Sequence, residues 1–472
     1  MPDFTYTATY PYAEETVRTW FMRPGALIRA TPHWAGSVVE EGNPNEPGST
    51  ARTRVALPLT SGLFTLPWVA RHTRASADSF TDELARGPLS TWEHAHDFLS
   101  TPGNTLVRDS IAFTVLPAAP GAAKKVGATA ERLARAAAQK QLKKVFAARE
   151  RRIGAELDFQ QRYQQEPLTV LVAGASGMVG RQVVALLTGG GHRVRTLVRR
   201  APETEHEFRW DPSAGEIDTS AFEGTDAVIH LGGASINQRF TEENKKKILD
   251  SRVESTTLLA TTLAELVQQR GAGAAPRVFV CASAVGFYGA DRGGEVLTED
   301  QDAGSGFLAQ VCQAWEAACE PARAAGVRVV NVRTGLVQSA LGGMLRLQLP
   351  AFLSGTGGWI GSGQQVQSWI SLDDIAGIYV HAVLTEKLEG PVNAVAPSPV
   401  TAKTLAKTVG KVLRRPVLLP IPAAVSALAL GREGVHELAL ASQRASADKL
   451  LASGYMFFEP ELERALAHEL TR

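Results

Sequence analysis

The rhythm of hydrophobic and polar positions changes near residue 165 of this 472-residue chain. Before it, runs rich in aromatic and β-branched residues are punctuated by Gly, Pro and Asp: "STARTRVALPL" (49–59), "TLPWVARHTR" (65–74), "STWEHAHDFLS" (90–100) and "TLVRDSIAFTVL" (105–116). That pattern predicts strands joined by antiparallel turns. An Ala/Lys/Arg-rich stretch follows over 122–157, with Val126, Ala130, Leu133 and Ala137, then Leu142, Phe146, Ile153 and Leu157, at helical spacing. It predicts an amphipathic lid with a solvated basic face. "RYQQEP" (162–167) reads as linker. From "LTVLVAGASGMVG" (168–180) onward, near-continuous apolar runs alternate with helical patterns: "RVRTLVR" (193–199), "DAVIHLGGA" (226–234), "RVFVCASA" (277–284) and "VRVVNVRTG" (327–335). Buried parallel strands covered by helices on both faces have this signature.

The division expected is therefore a sheet-and-helix domain over 1–157, a linker over 158–167, a doubly wound α/β domain over 168–395, and a helical region over 396–472 that caps the same sheet. A formal net charge of +1 gives no bulk electrostatic drive toward nucleic acid. The three cysteines, Cys281, Cys312 and Cys319, form neither a disulfide framework nor a metal-ligand spacing, which fits a reducing cytoplasm. The N-terminal residues lack a basic flank followed by an apolar core, so no secretory signal is expected. "PVLLPIPAAVSALALG" (416–431) is broken by prolines and is shorter than the roughly 20 residues that span a bilayer, so no transmembrane segment is expected either. No motif decides the oligomeric state.

Gly174, Gly177 and Gly180 stand directly after a predicted strand and open a predicted helix. The first permits a tight turn, the second lets backbone approach a pyrophosphate, and the third lets helix and strand pack closely, while the helix N-terminus presents free N–H groups. The cofactor-binding set read from this turn is Gly174, Ser176, Gly177, Met178, Val179 and Gly180. The next strand ends "TLVRR", where Arg199 and Arg200 replace the acid of an NAD-preferring site and suit a 2′-phosphate, so NADP(H) is the expected cofactor.

These residues together resemble the extended short-chain dehydrogenase/reductase superfamily. "NVRTGLVQSALGGML", "GTGGWIGSGQQVQSWISLDDIAG" and "GPVNAVAPSPVT" resemble its atypical, sugar-nucleotide epimerase-like branch over roughly 168–465. The resemblance implies a bound nicotinamide dinucleotide, lined further by Leu231 and Gly232 of "HLGGA" and by Val337 of "TGLV". The superfamily's catalytic Tyr and Lys fall on Leu308 and Cys312 here, and its supporting Asn on Arg252. Three readings follow from that loss. Catalysis is moved to Tyr288 as proton donor, with Ser283 and Arg252 also around the nicotinamide; or hydride passes to an activated acceptor with water supplying the proton; or the domain binds NADP(H) and turns nothing over. Arg252 is assigned to the cofactor phosphates or ribose. Cys312 reads as a small buried hydrophobe rather than a redox thiol. One of Asp373 and Asp374 is expected to cap the helix that follows, Trp369 to wall the substrate pocket, and His381 to lie in the core.

"RPGALIRATPHW" (23–34), "GPLSTWEHAHDF" (87–98) and "RDSIAFTVLP" (108–117) resemble the START-like, helix-grip superfamily that includes polyketide cyclases. This implies an α+β domain with an antiparallel sheet gripping a helix over an apolar cavity, and hence a small-molecule substrate with a hydrophobic part. His94 and His96 alternate with Trp92 and Phe98 on one strand face; two histidines at i, i+2 read as packing, and no metal site is assigned.

Overall fold

The computed structural model describes residues 2–115, 124–164, 166–271, 273 and 275–470. The chain forms two compact units, one built chiefly on residues before 166 and the other chiefly on those from 166 onward.

In the first unit, β1 (Phe4–Tyr10), β2 (Gly36–Glu40), β3 (Thr50–Ala56), β4 (Thr65–Ala75), β5 (Ser79–Arg86), β6 (Thr91–Thr101) and β7 (Asn104–Thr114) form one antiparallel sheet in the order β1-β7-β6-β5-β4-β3-β2. Burial alternates along β6 and β7, as it does when one face of a sheet is covered. The cover is α1 (Glu14–Met22), α2 (Ala26–Ala30) and the long α3 (Lys124–Arg162), which seal Trp20, Phe21, Phe80, Phe98, Ile153 and Leu157 into a core. The helix runs five residues past the expected end at 157, into the segment read as linker. Only part of its predicted stripe is buried. Phe146 and Ile153 are inside, whereas Ala130, Leu133 and Ala137 are exposed, Leu133 by 69 %. The physical reason is reach: the first turns of α3 extend beyond the apolar surface the sheet offers, so helix propensity, not burial, sets that half. The side chain of Val126 lies outside the described residues.

The second unit is built on an eight-stranded sheet: β8 (Thr169–Ala173), β9 (Arg193–Val198), β10 (Glu207–Asp211), β11 (Glu216–Ile217), β12 (Ala227–His230), β13 (Val278–Ala284), β15 (Arg328–Thr334) and β19 (Gly390–Ala394), in the order β11-β10-β9-β8-β12-β13-β15-β19. All neighbours are parallel except β10 with β11. Outside it, β14 (Asp291–Leu297) pairs with β21 (Ser442–Ala445), β16 (Leu336–Gln338) with β18 (Trp369–Ser371), and β17 (Val366–Gln367) with β20 (Val400–Thr401). Val170, Leu171, Val172 and Ala173 of β8 are wholly buried, which explains the unbroken apolar run. α4 (Met178–Gly189), α5 (Glu242–Arg270) and α6 (Phe307–Ala317) follow β8, β12 and β14. The strand order reverses at β8, with β9 on one side and β12 on the other. The crevice outside the carboxyl ends of β8 and β12 is where open α/β sheets bind ligands.

Candidate functional site

Two glycines of the turn stand where no side chain fits. Gly174 has φ +87°, and a Cβ there would lie 2.9 Å from the Leu231 carbonyl carbon. A Cβ on Gly180 would lie 2.2 Å from the Gly174 carbonyl oxygen. The Leu231 N–H donates to the Ala173 carbonyl (2.8 Å), so the turn and the "HLGGA" loop meet backbone to backbone across the crevice. Ser176 and Gly177 are exposed at the mouth, directly before the first turn of α4, and Met178, Val179, Leu231 and Gly232 are half-buried beside them. Met178 is faced by Gly342, whose added Cβ would meet its Sδ at 2.8 Å. Val337 sits in β16, whose strand alternation turns it to the face opposite Leu336 and Gln338. Those two line a separate cleft with Trp359, Gln365, Gln367 and Leu405.

The "HLGGA" loop is tied down by α5. Its His230 is wholly buried, with Nε2 2.9 Å from the Ser255 hydroxyl and Nδ1 accepting from the Gly232 N–H at 3.3 Å. Burial, with Arg252 nearby, lowers the His230 pKa to about 3, so it is neutral at physiological pH. Ser251 accepts from the Ala234 N–H (3.0 Å). Arg252 Nη1 donates to the carbonyls of Ala234 and Ile248, each at 3.0 Å, and its guanidinium stacks 4.8 Å from the Trp315 ring and against Gly233. Sequence reasoning missed His230, Ser251 and Ser255. Arg252 holds the loop's backbone in place, with burial pushing its pKa down.

At the end of β9, Arg199 and Arg200 are both exposed, but they differ. Arg200 forks onto both oxygens of Glu207 at 2.6 and 2.8 Å, while no ion pair engages Arg199 among the described residues.

Ser283 and Tyr288 stand apart from the glycine turn in a buried network. Ser283 is 3 % exposed and donates to Glu316 Oε1 (2.6 Å); Glu316 is clasped by Arg333 through Nε and Nη2, both 2.9 Å. Arg333 Nη1 also donates to the Tyr288 hydroxyl (3.0 Å), which in turn donates to Asn393 Oδ1 (2.8 Å). Tyr288 is 0 % exposed, and burial pushes its pKa up against the pull of Arg333. The phenol's proton and one of its lone pairs are both engaged inside the fold. Ser283, near the end of β13, and Tyr288, just beyond it, thus lie in one network that also reaches β15 and β19. Leu308 and Cys312 pack beside Gly286, and burial raises the Cys312 thiol to about 12, so it is inert.

Two further expectations are revised. Trp369 is fully buried, with its indole N–H donating to the Ser398 carbonyl (2.9 Å), so Trp359 walls the cleft instead. The helix Leu372–Leu384 is capped by Ser371, and Asp374 answers it from three residues on, accepting from the Ser371 hydroxyl (2.6 Å) and from the Phe458 N–H (2.7 Å). His381 is buried, its Nε2 2.7 Å from the Ser453 hydroxyl.

In the first unit, strand register brings Asp82 beside His94 and Asp109 beside His96. His94 Nε2 is 2.9 Å from Asp109 Oδ1, and His96 Nδ1 is 2.7 Å from the same oxygen though off the hydrogen-bonding line. Burial and the neighbouring His94 lower His96 to about 4; Asp109, despite its burial, is held below the usual carboxylate range by His96 and by the hydrogen bond from His94.

Residues 170–394 match the sequence profile of the NAD dependent epimerase/dehydratase family, and 421–469 match a domain of unknown function, DUF1731. An epimerase family protein of Mycobacterium bovis is 40 % identical over 304 residues, 64 % of this chain and 98 % of that protein. A crystal structure described as the nucleoside-diphosphate sugar epimerase of Corynebacterium glutamicum is 34 % identical with a TM-score of 0.77, covering 99 % of this chain and 90 % of that one. The human epimerase family protein SDR39U1, solved with NADPH, is 32 % identical with a TM-score of 0.57 over 64 % of this chain and 99 % of its own. No helix among the described residues is long and apolar enough to cross a membrane.

Proposed function

Because the chain belongs to the NAD-dependent epimerase/dehydratase family, we propose that its second unit binds NADP(H) and serves as an oxidoreductase toward a small-molecule substrate. The observation that carries this reading is the turn whose Gly174 and Gly180 leave no room for a side chain, opening on the first turn of α4, with Arg199, unpaired among the described residues, at the neighbouring strand end. The human relative's NADPH supports it. Gly174, Ser176, Gly177, Met178, Val179 and Gly180 offer backbone to the pyrophosphate; Arg199 takes the 2′-phosphate; Leu231, Gly232 and Val337 line the remainder, and Arg252 holds the loop. The cofactor, when bound, supplies or accepts hydride. Epimerisation through a proton-relay tyrosine is disfavoured because Leu308 occupies that place and Tyr288 is enclosed. The proton therefore comes from water or from the substrate itself.

Fluorescence titration with NADPH and NADH tests this. Arg199→Ala weakens NADPH roughly 10- to 100-fold, the worth of a charge-assisted contact, and leaves NADH unchanged; Arg200→Ala, already spent on Glu207, has the smaller effect. Failure of both nucleotides to bind overturns the reading. A second reading, an NADP(H)-binding regulator without turnover, is favoured by the engagement of both Ser283 and Tyr288 in the buried network. NADPH binding without oxidation across a panel of carbonyl compounds would establish it.

The first unit is read as a START-like helix-grip domain on the strength of its seven-stranded antiparallel sheet and long covering helix, with an apolar ligand or the apolar part of the substrate as its cargo. A cytoplasmic location fits the three buried free thiols.

A further inference from the structure

We propose that the first unit binds one divalent transition-metal ion through His94, His96 and Asp82, with Asp109 anchoring the two imidazole rings from behind. The sequence shows only two histidines at i, i+2. The sheet adds what they lack. Register sets Asp82 of β5 opposite His94, and Asp109 of β7 opposite His96, so two rings and two carboxylates from three adjacent strands share one buried spot. One ligand atom from each of Asp82, His94 and His96 lies within 4.8 Å of the others.

The division of labour follows from which nitrogen faces what. His94 turns Nε2 to Asp109 (2.9 Å), which leaves Nδ1 facing Asp82 Oδ2 at 3.5 Å. Two donors bound tetrahedrally at about 2.1 Å stand about 3.4 Å apart, so that pair is spaced as ligands of a common ion. His96 turns Nδ1 to Asp109, leaving Nε2 as its ligand atom. A carboxylate behind each ligating imidazole is the usual device for fixing the tautomer and raising basicity. The His96 Nδ1 contact is short yet misaligned for a hydrogen bond, so the buried nitrogen is left without a partner of good geometry, and small ring rotation on metal binding satisfies it.

The surroundings are aromatic and largely buried. His96 stacks on Phe80 at 4.1 Å between ring centroids, and His94 meets Phe146 of α3 edge-on at 5.6 Å. His94, His96 and Asp109 are each about 5 % exposed; Asp82 is the least buried. A single carboxylate with two nitrogen donors suits Zn²⁺ and its neighbours and is poor for Mg²⁺ or Ca²⁺, which take oxygen ligands. With three protein ligands, a fourth position is left for water or a ligand held in the domain's interior.

The test uses the full chain, stripped with a chelator and titrated with Co²⁺. The expected result is one Co²⁺ per chain with visible d–d absorption, displaced by one equivalent of Zn²⁺ and not by Mg²⁺. His94→Gln/His96→Gln abolishes the band, Asp82→Asn weakens binding at least 10-fold, and Asp109→Asn weakens it about 10- to 100-fold without changing stoichiometry. A far-UV spectrum and thermal transition accompany each variant. Should the double variant fail to fold, Asp82→Asn, at the more open edge, carries the test. Absence of the band in the parent chain, or unchanged Co²⁺ affinity in the folded His or Asp82 variants, overturns the proposal and leaves the cluster as hydrogen-bonded packing.

Discussion

At the scale of single residues, the sharpest demands fall on Gly180 and His230. A methyl on Gly180 would sit 2.2 Å from a backbone oxygen, with no flexible side chain to give way. Gly180→Ala is expected to destabilise the second unit by about 1–3 kcal/mol and to abolish nucleotide binding, both measurable by urea unfolding and titration. His230 is held neutral, with a folded pKa of about 3 against about 6.5 unfolded. The unfolded chain therefore gains a proton first as pH falls, and stability present above pH 6.5 is lost steadily down to about pH 3. Between pH 6.5 and 5 this one residue costs on the order of 2 kcal/mol. His230→Gln should remove that part of the pH dependence in unfolding experiments; an unchanged slope would refute the assignment. The tight turn at Gly174 is legible in the sequence because it depends on near neighbours, whereas the partners of Tyr288, Arg333 and Asn393, are 45 and 105 positions away and leave no local signal.

At the scale of elements, one ion pair joins α6 to β15. Glu316 and Arg333 meet through two 2.9 Å bonds with the arginine 3 % exposed, and Arg333 also lies 3.5 Å from the Phe287 ring centroid. Removing one partner leaves a buried charge uncompensated, so Glu316→Gln is expected to cost about 3–5 kcal/mol, and Glu316→Gln/Arg333→Met to recover much of it. Chemical denaturation of the single and double variants measures the difference. The same scale explains the half-legible α3. Its periodicity is readable as far as Leu157, yet the sheet covers only part of that stripe, because pattern predicts which face is apolar and not how far the partner surface extends. Leu133→Lys should therefore change stability by less than about 0.5 kcal/mol, whereas Phe146→Ala should cost about 3–5 kcal/mol.

At the scale of the whole molecule, each unit has its own core and its own candidate chemistry: an aromatic-lined histidine–aspartate cluster in one, a nucleotide crevice in the other. If the first unit's binding resides in its own interior, an apolar fluorescent probe should bind Gly174→Asp as it binds the parent chain, while NADPH no longer does. Loss of both together would place the probe in the second unit.

The sequence by itself determined the change of architecture near 165, the parallel-sheet class of the second unit and the glycine turn. All of these rest on interactions within a few residues: strand and helix periods, turn conformations and the identity of a motif position. The tertiary structure decided that Arg200 pairs with Glu207, that Tyr288 and Ser283 enter a buried network, that Trp359 and not Trp369 lines the cleft, and that two aspartates close on His94 and His96. Each of those outcomes depends on strand register and on helix placement between segments far apart in the chain. A side chain's freedom to do chemistry is decided by whichever distant partner the fold sets beside it.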